Sequence, residues 1–455
     1  MKRLFSTAAF VGAFVFALCL YSASCFAYGA IAVDTLGRPI KWKTFPIVYN
    51  LDSGPAKGDS TCSFDDSTAS SSGGCSLAPW LKDQIESHQE GAATVANALA
   101  TWKNAGPSIL DFQEGPNLPD GGDVNVCNFD NFLVLSDIQP DDPKICGCLG
   151  TCSQPCLNPV IFDSDGQITD TLLGQGASDQ VLGFAGPILV PGVNYIPKLQ
   201  ALFNLKCASP ADPSCMTGST FSDVQVRSVV THELGHALGL DHTQVVTDTV
   251  VQVGAVPTMF PVLVDGADLS SLKADDVQAI LHLYGKNASP SAATCSVEGD
   301  IQCDGCQIQL ETNSKDGKPK DFRTVMGTNS LPLSCVEVVA TLPDATKSVA
   351  FMSGAESPNS PSAFSQGSSS AYDGPDDCLQ GPQPNTCGHF RIDGLVAGQT
   401  YTLNLQQENP LFKGGSSINP CVYPMIGFAQ TSTNVTVNCT ANTVHNLSVL
   451  HVRPQ

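Results

Sequence analysis

A chain of 455 residues, 42% of them hydrophobic, is long enough to bury two or three separate cores. Its formal net charge of −21 comes from 43 acidic against 22 basic side chains. Such a balance excludes a nucleic-acid binder and a protein held by charge on an anionic membrane.

In chain order, Met1-Lys2-Arg3 is followed by an apolar stretch over residues 8–20 and small residues over 23–27. This is the plan of a secretory signal peptide, with cleavage expected after Ala27. The apolar stretch is too short to span a bilayer, and no later segment qualifies as a transmembrane segment. The expected localisation is therefore secreted or extracellular, with the periplasm or the cell surface as variants. Cys25 raises a lipoprotein site, but Ser22 stands where a leucine is expected.

Nineteen cysteines in an exported chain imply disulfides. Cleavage removes Cys19 and Cys25; nine of the remaining seventeen precede residue 287 and eight follow it, so at least one stays unpaired within a monomer. Cys62 and Cys75 bracket a Ser/Asp/Gly-rich loop and are expected to pin it. Cys146, Cys148, Cys152 and Cys156 could hold a second zinc, but disulfides suit an exported chain better, and the same holds for Cys303 and Cys306. Strands alternating with loops are expected over 123–197. There Asp163, Asp165 and Asp170 gather oxygen ligands around Gly166, a candidate calcium site, although the spacing is not that of an EF-hand and a plain Asp/Gly turn explains it equally.

The most specific segment is T-H-E-L-G-H-A-L-G-L-D-H at residues 231–242, which fits H-E-x-x-H-x-x-G-x-x-H. A helix over 224–239 puts His232 and His236 on one face, close enough to share a zinc ion. Gly239 can end that helix in a conformation other residues adopt poorly, turning the chain back to deliver His242. Three imidazoles leave a fourth zinc position open, and Glu233 is placed to reach it as a general base. Val230, Leu234 and Leu238, four apart on the opposite side, form a core face.

After His242, the segment Pro257-Thr258-Met259-Phe260-Pro261 completes a pattern that resembles the metzincin zinc peptidases, and among them the matrixins (matrix metalloproteinases). Thr243 and the stretch 272–285, similar to a closing helix, point the same way. Residues 39–42 and 45–49 resemble the first strand of that domain, and 92–102 its first long helix. The resemblance covers roughly 37–285. It implies an α+β metzincin-like catalytic domain, a mixed twisted sheet plus the zinc helix, that hydrolyses a protein or peptide substrate with a zinc-activated water. Glu233 would be the catalytic base, His232, His236 and His242 the zinc ligands, and Met259 a supporting turn. Segment 182–187 looks like the rim strand that pairs with substrate backbone. Matrixins also hold a structural zinc, but Phe184 stands where a ligand histidine is usual, and only His88 and His282 remain in the region. One catalytic zinc is therefore expected, with calcium as a further family ligand. The family's cysteine-bearing propeptide motif is missing, and a thiolate cap from the odd cysteine, a free thiol and a bridge between chains all stay open.

From residue 295 the text changes. Short alternating apolar runs at 335–341, 390–392, 401–405, 435–437 and 444–450, separated by Gly, Pro and Asn, predict an all-β sandwich domain with disulfides. Residues 390–403 resemble a strand-turn-strand of carboxypeptidase regulatory-like sandwiches, and Ig-like folds carry similar text. The expected layout is a signal peptide over 1–27, a matrixin-like zinc peptidase domain over 28–287, a linker over 288–294 and the sandwich over 295–455. Asn434, Asn438 and Asn446 begin glycosylation sequons. The leading expectation is a secreted zinc endopeptidase whose C-terminal domain serves substrate or surface targeting. One alternative is a non-catalytic secreted or surface adhesion protein that retains a zinc site; the intact Glu233 argues against it. A hydrolase of something other than protein is the other, and Met259 and the rim strand argue against that.

Overall fold

A computed structural model describes residues 30–34, 36–54, 77–119, 123–135, 139–208, 221–243, 254, 256–264, 266–286, 291–304, 307–312, 321–326, 331–333, 336–343, 348–353, 388–407 and 435–453. The signal peptide, the Cys62–Cys75 loop, Cys306, residues 287–290 of the linker and Asn434 lie outside them, as does most of the loop after Thr243.

The first half contains β1 (Ile47–Leu51), α1 (Leu77–Lys103), β2 (Phe112–Glu114), α2 (Cys146–Leu149), β3 (Pro159–Asp163), α3 (Gln167–Leu173), β4 (Gly183–Ile188), β5 (Lys198–Asn204), α4 (Asp223–Ala237) and α5 (Ala274–Tyr284). One mixed sheet runs in the order β2-β1-β3-β5-β4. Its first four strands are parallel, and β4 pairs antiparallel with β5 at the edge. Central parallel strands are covered on both faces, which is why β3 is buried throughout. Alternation divides them: Val160, Phe162, Ala201 and Phe203 face a core shared with Val95, Ala98 and Leu99 of α1 and Val230 and Leu234 of α4. Ile161 and Leu202 face the other way, onto Phe129, Phe132, Leu133 and Ile168.

Several boundaries differ from the sequence reading. The first strand begins at Ile47, after Pro46, which has no N–H to give a ladder; residues 39–42 contribute only a bridge between Pro39 and Val33. Helix α1 starts at Leu77, well before residue 92. Strands are fewer over 123–197 than expected, because Cys146–Cys152 and Cys148–Cys156 staple an irregular segment instead. These four cysteines form disulfides, as does Cys303, whereas Cys127 is free and exposed.

The second half is all β: β6 (Thr294–Cys303), β7 (Gln307–Thr312), β8 (Asp321–Met326), β9 (Leu331–Pro332), β10 (Val336–Thr341), β11 (Ser348–Met352), β12 (His389–Val396), β13 (Thr400–Gln407), β14 (Val435–Asn438), β15 (Val444–Asn446) and β16 (Leu450–Val452). One sheet has the order β11-β10-β13-β14; a second is built on β6, flanked by β12, β15, β16 and β9; β7 and β8 pair separately. Alternate residues bury Val336, Val338 and Ala340 from one sheet and Val297, Ile301, Phe390 and Ile392 from the other. A disulfide joins Cys295 to Cys439. β12 and β13 follow one another in sequence yet belong to different sheets, so the strand-turn-strand text is a crossover between layers. The 444–450 run splits into β15 and β16, both parallel to β6. Helix α5 packs on β11 and β12, so buried residues of both halves form one continuous cluster. No helix among the described residues is long and apolar enough to cross a membrane.

Candidate active site

Helix α4 starts at a capping box. Ser222 Oγ accepts from Gln225 N at 3.3 Å, and Gln225 Oε1 accepts from Ser222 N at 2.9 Å. Its other end is set by Gly239, whose φ of +86° lies in the left-handed region. The last carbonyls then find donors: Trp42 Nε1 to Ala237 O (3.1 Å), Tyr284 Oη to Leu238 O (2.6 Å) and Ile31 N to Gly239 O (2.8 Å). With both ends anchored, Val230, Leu234 and Leu238 face the core and are buried.

On the opposite face the turn at Gly239 brings His242 back to His232 and His236. Their three Nε2 atoms lie 3.0–3.1 Å from one another. His232 Nδ1 donates to Thr258 O at 2.7 Å, and His236 Nδ1 donates to Leu240 O at 2.8 Å. A neutral imidazole with Nδ1 protonated carries a bare lone pair on Nε2. Burial keeps both rings neutral, pushing His232 down to about 4 and His236 to about 3, and it drives His242 well below the usual histidine value. Lone pairs crowded together without a proton repel unless a cation sits among them, so the donor set fits a metal ion. Nitrogens at tetrahedral corners around zinc lie about 3.3 Å apart, close to the observed spacing. Among the described residues this is the group of histidine, cysteine or acidic side chains able to share one ion.

Glu233, between the two helical histidines, points toward β4. Its Oε2 accepts from Ala185 N at 2.8 Å. Burial pushes its carboxyl up to about 8, and the Ala185 bond opposes that rise. Ala185 belongs to the edge strand, in the segment read as a substrate rim. Phe184 turns the other way, onto the Leu202 side of the sheet. Met259 is buried beneath the site. Thr243 N donates to its carbonyl at 2.9 Å, and its Sδ would lie only 2.3 Å from a Cβ on Gly235.

Of the calcium candidates, Asp163 and Asp165 lie near enough to repel each other, and burial together with the charges of Asp52, Asp165 and Asp163 pushes the neighbouring Asp123 carboxyl up to about 7. Asp163 accepts from Ile168 N, Thr169 N and Thr169 Oγ1; Asp165 accepts from the backbone and side chain of Gln167; Asp170 accepts from Ser178 N. Each carboxylate thus caps its own turn. His88 Nδ1 lies 3.0 Å from Gly54 O, and His282 Nδ1 lies 3.1 Å from Asp393 Oδ2.

Four supporting residues escaped the sequence reading. Asp276 accepts from both Thr258 N (2.8 Å) and Met259 N (3.0 Å), and so holds the turn that orients His232. Gly235 leaves room for Met259 and Trp102. Trp42 and Tyr284 close the end of α4. Trp42, Gly235 and Tyr284 lay in stretches the sequence reading singled out, without these roles, and Asp276 showed only as one of two acids opening a helix, a placement the helix dipole alone explains.

Three neutral imidazoles around one point, beside a buried carboxylic acid, form the class of donor set that holds a zinc ion. More particularly, the family model for Matrixin matches residues 80–285, and this part of the chain is a matrixin-like catalytic domain. The Arabidopsis thaliana protein Metalloendoproteinase 5-MMP is 37% identical over 84 residues, 17% of this chain and 21% of that protein. The chain thus spans about a fifth of that relative's length. No solved structure matches the chain.

Proposed function

We propose that this protein is a secreted, zinc-dependent endopeptidase, in which His232, His236 and His242 hold one catalytic zinc and Glu233 is the general base. The observation that carries the reading is three inward-facing imidazole nitrogens, 3.0–3.1 Å apart, beside a buried carboxylic acid fixed through one oxygen. Zinc bound there would acidify a water molecule and polarise the scissile carbonyl. Glu233 would take the proton of the attacking water on its other oxygen, which has no protein partner among the described residues, and pass it to the leaving amine. A carboxyl with a proton affinity near neutrality is suited to both transfers. Strand β4, last in the sheet order among the described residues, offers its backbone to an extended peptide, in favour of a protein or peptide substrate. Met259 would support the ligands from below without meeting substrate.

The proposal includes the layout of a signal peptide over 1–27, a peptidase domain over 28–287, a linker over 288–294 and a sandwich over 295–455. The disulfides favour an oxidising, extracellular destination. It names zinc alone; Asp163, Asp165 and Asp170 each accept local hydrogen bonds.

The test is cleavage of a diverse peptide library before chelation, after it, and after zinc is restored. Internal cleavage should disappear and return. Glu233→Gln should still bind zinc yet cleave about 10²–10⁴-fold more slowly. Cleavage indifferent to chelation, or an undiminished Glu233→Gln, sinks the mechanism.

A further inference from the structure

Asp275 opens α5 at the seam between the two halves, and only 2% of it is exposed. Its Oδ1 accepts from Ala350 N at 2.8 Å. Ala350 lies in β11, the edge strand of its sheet, so the acid satisfies an outward N–H that has no neighbouring strand to meet. The same carboxyl receives a hydrogen bond from the Thr243 side chain. Thr243 is fully buried and directly follows His242. Its own N–H is fixed on Met259 O, next to Thr258, whose carbonyl receives His232 Nδ1.

The second half therefore reaches the metal ligands through two bonds, from β11 to Asp275 and from Asp275 to Thr243. Further contacts hold α5 in place. Gln278 Nε2 donates to Gly394 O at 2.8 Å, and a Cβ on Gly394 would fall 1.6 Å from Gln278 Oε1. Asp393 receives Ser296 Oγ at 2.5 Å on one oxygen and faces His282 Nδ1 on the other. Parting the halves would strand a buried N–H and a buried acid, which a module on a loose tether would not require.

We propose that the β-sandwich is a positioning part of the active site: through Ala350 and Asp275 it fixes Thr243, and with it the third metal ligand, His242. This rests on the zinc-peptidase reading and replaces a separable targeting module with a structural partner of the catalytic domain.

The test uses the full chain with Asp275→Ala, Asp275→Asn and Ala350→Pro. Proline deletes the donor from the sandwich side, and because this N–H points at Asp275 no ladder bond is lost. Zinc affinity is measured by competition with a chromogenic chelator, and hydrogen exchange is followed at the Thr243 and Met259 amides. Asp275→Ala and Ala350→Pro should weaken zinc binding about tenfold, the low end for partners that orient metal ligands. Both amides should exchange faster, and kcat should fall more than KM rises. Asp275→Asn keeps an acceptor for Ala350 and should recover most of the affinity. Folded variants with wild-type zinc affinity and exchange overturn the proposal. If neither folds, Thr243→Val decides: weaker zinc binding supports the coupling, and unchanged binding overturns it. Wild-type protein without zinc-dependent cleavage would instead defeat the peptidase reading, while the exchange data still judge the coupling.

Discussion

Helix α4 and the β-sandwich bury similar side chains, yet the constraints on them differ. In α4 and the turn after it, His232 and His236 are fixed by the shared nitrogen cluster, Glu233 by its bond from Ala185 N and Gly239 by a positive φ. In the sandwich, Val338, Leu403 or Phe390 need only be apolar, of suitable size and on the inward face. Chemistry is therefore concentrated in one helix and its returning loop, and stability is spread over many interchangeable positions. The two should come apart under mutation: changes in α4 remove activity and leave the fold, and changes in the sandwich core do the reverse. Helix α5 is where this separation ends, because Asp275 and Asp276 serve both sides.

The largest expected effect breaks the comparison on the chemical side. Glu233→Gln should keep or raise Tm while activity falls by the 10²–10⁴-fold given above, since the amide retains an acceptor for Ala185 N and removes a buried ionisable group. A fall in Tm as large as the fall in activity would mean that Glu233 is structural. On the other side, replacing both Cys295 and Cys439 with alanine opens a link across 144 residues of chain. It should cost about 2–5 kcal/mol, read as a lower midpoint in urea unfolding. Zinc affinity of the fraction still folded should stay near wild type, and a loss of zinc without a shift in the midpoint contradicts the assignment.

How much of this was legible in the sequence follows the same division. The helical period places His232, His236 and the Val230–Leu234–Leu238 face without reference to anything distant, and the strands at 401–405 and 435–437 follow from alternation. Contacts between elements left no such pattern. Asp276 meets Thr258 and Met259 across a turn, Asp275 meets Ala350 from 75 residues away, and Tyr284 caps α4 from 46 residues away. A carboxylate in the first turn of a helix looks the same whether it answers the helix dipole or holds a catalytic turn. Helix α1 begins 15 residues before the stretch read from the sequence; Leu77, Leu81 and Ile85 sit four apart there, but Pro79 reads as a breaker. In the turn from Asp163 to Asp170 each carboxylate accepts from nearby N–H groups, and the sequence pattern looks the same whether such acids hold a turn or a cation.

A smaller effect sharpens the boundary between the two kinds of position. Gly235 is no metal ligand, yet a Cβ there would meet Met259 Sδ at 2.3 Å and Trp102 Cζ2 at 2.8 Å. The methionine tail can shift; the indole, pinned by its Nε1 bond to Thr231 O, cannot move as freely. Gly235→Ala should cost about 1–3 kcal/mol as overpacking. Its effect on zinc affinity should exceed that of an equally destabilising substitution in the sandwich core, since the displaced atoms lie beneath the ligands. Equal zinc affinities at matched stability would remove Met259 from any supporting role.

The smallest effect tests the seam by pH. Burial alone would raise the Asp393 carboxyl, but hydrogen bonds from His282 and Ser296 and the charges of His282 and Arg391 outweigh it and hold the group near 2. An unfolded aspartate titrates near 3.9. Between those values the unfolded chain binds more protons, so while His282 carries its proton the stabilisation is complete above about pH 4 and is lost as pH falls through about 2. With a discount for the part of the side chain still in contact with water, Asp393 contributes about 1–2 kcal/mol. Asp393→Asn should lower stability by that amount near pH 5 and flatten the acid limb of a urea-unfolding series between pH 4 and 2. A variant that keeps the wild-type slope would assign the acid sensitivity to another carboxylate. Because Asp393 touches α5 rather than the histidines, the same series followed by zinc affinity at pH 7 separates the two bonds of the seam. Asp393→Asn should disturb zinc binding less than Asp275→Ala, since only Asp275 touches the residue that follows His242.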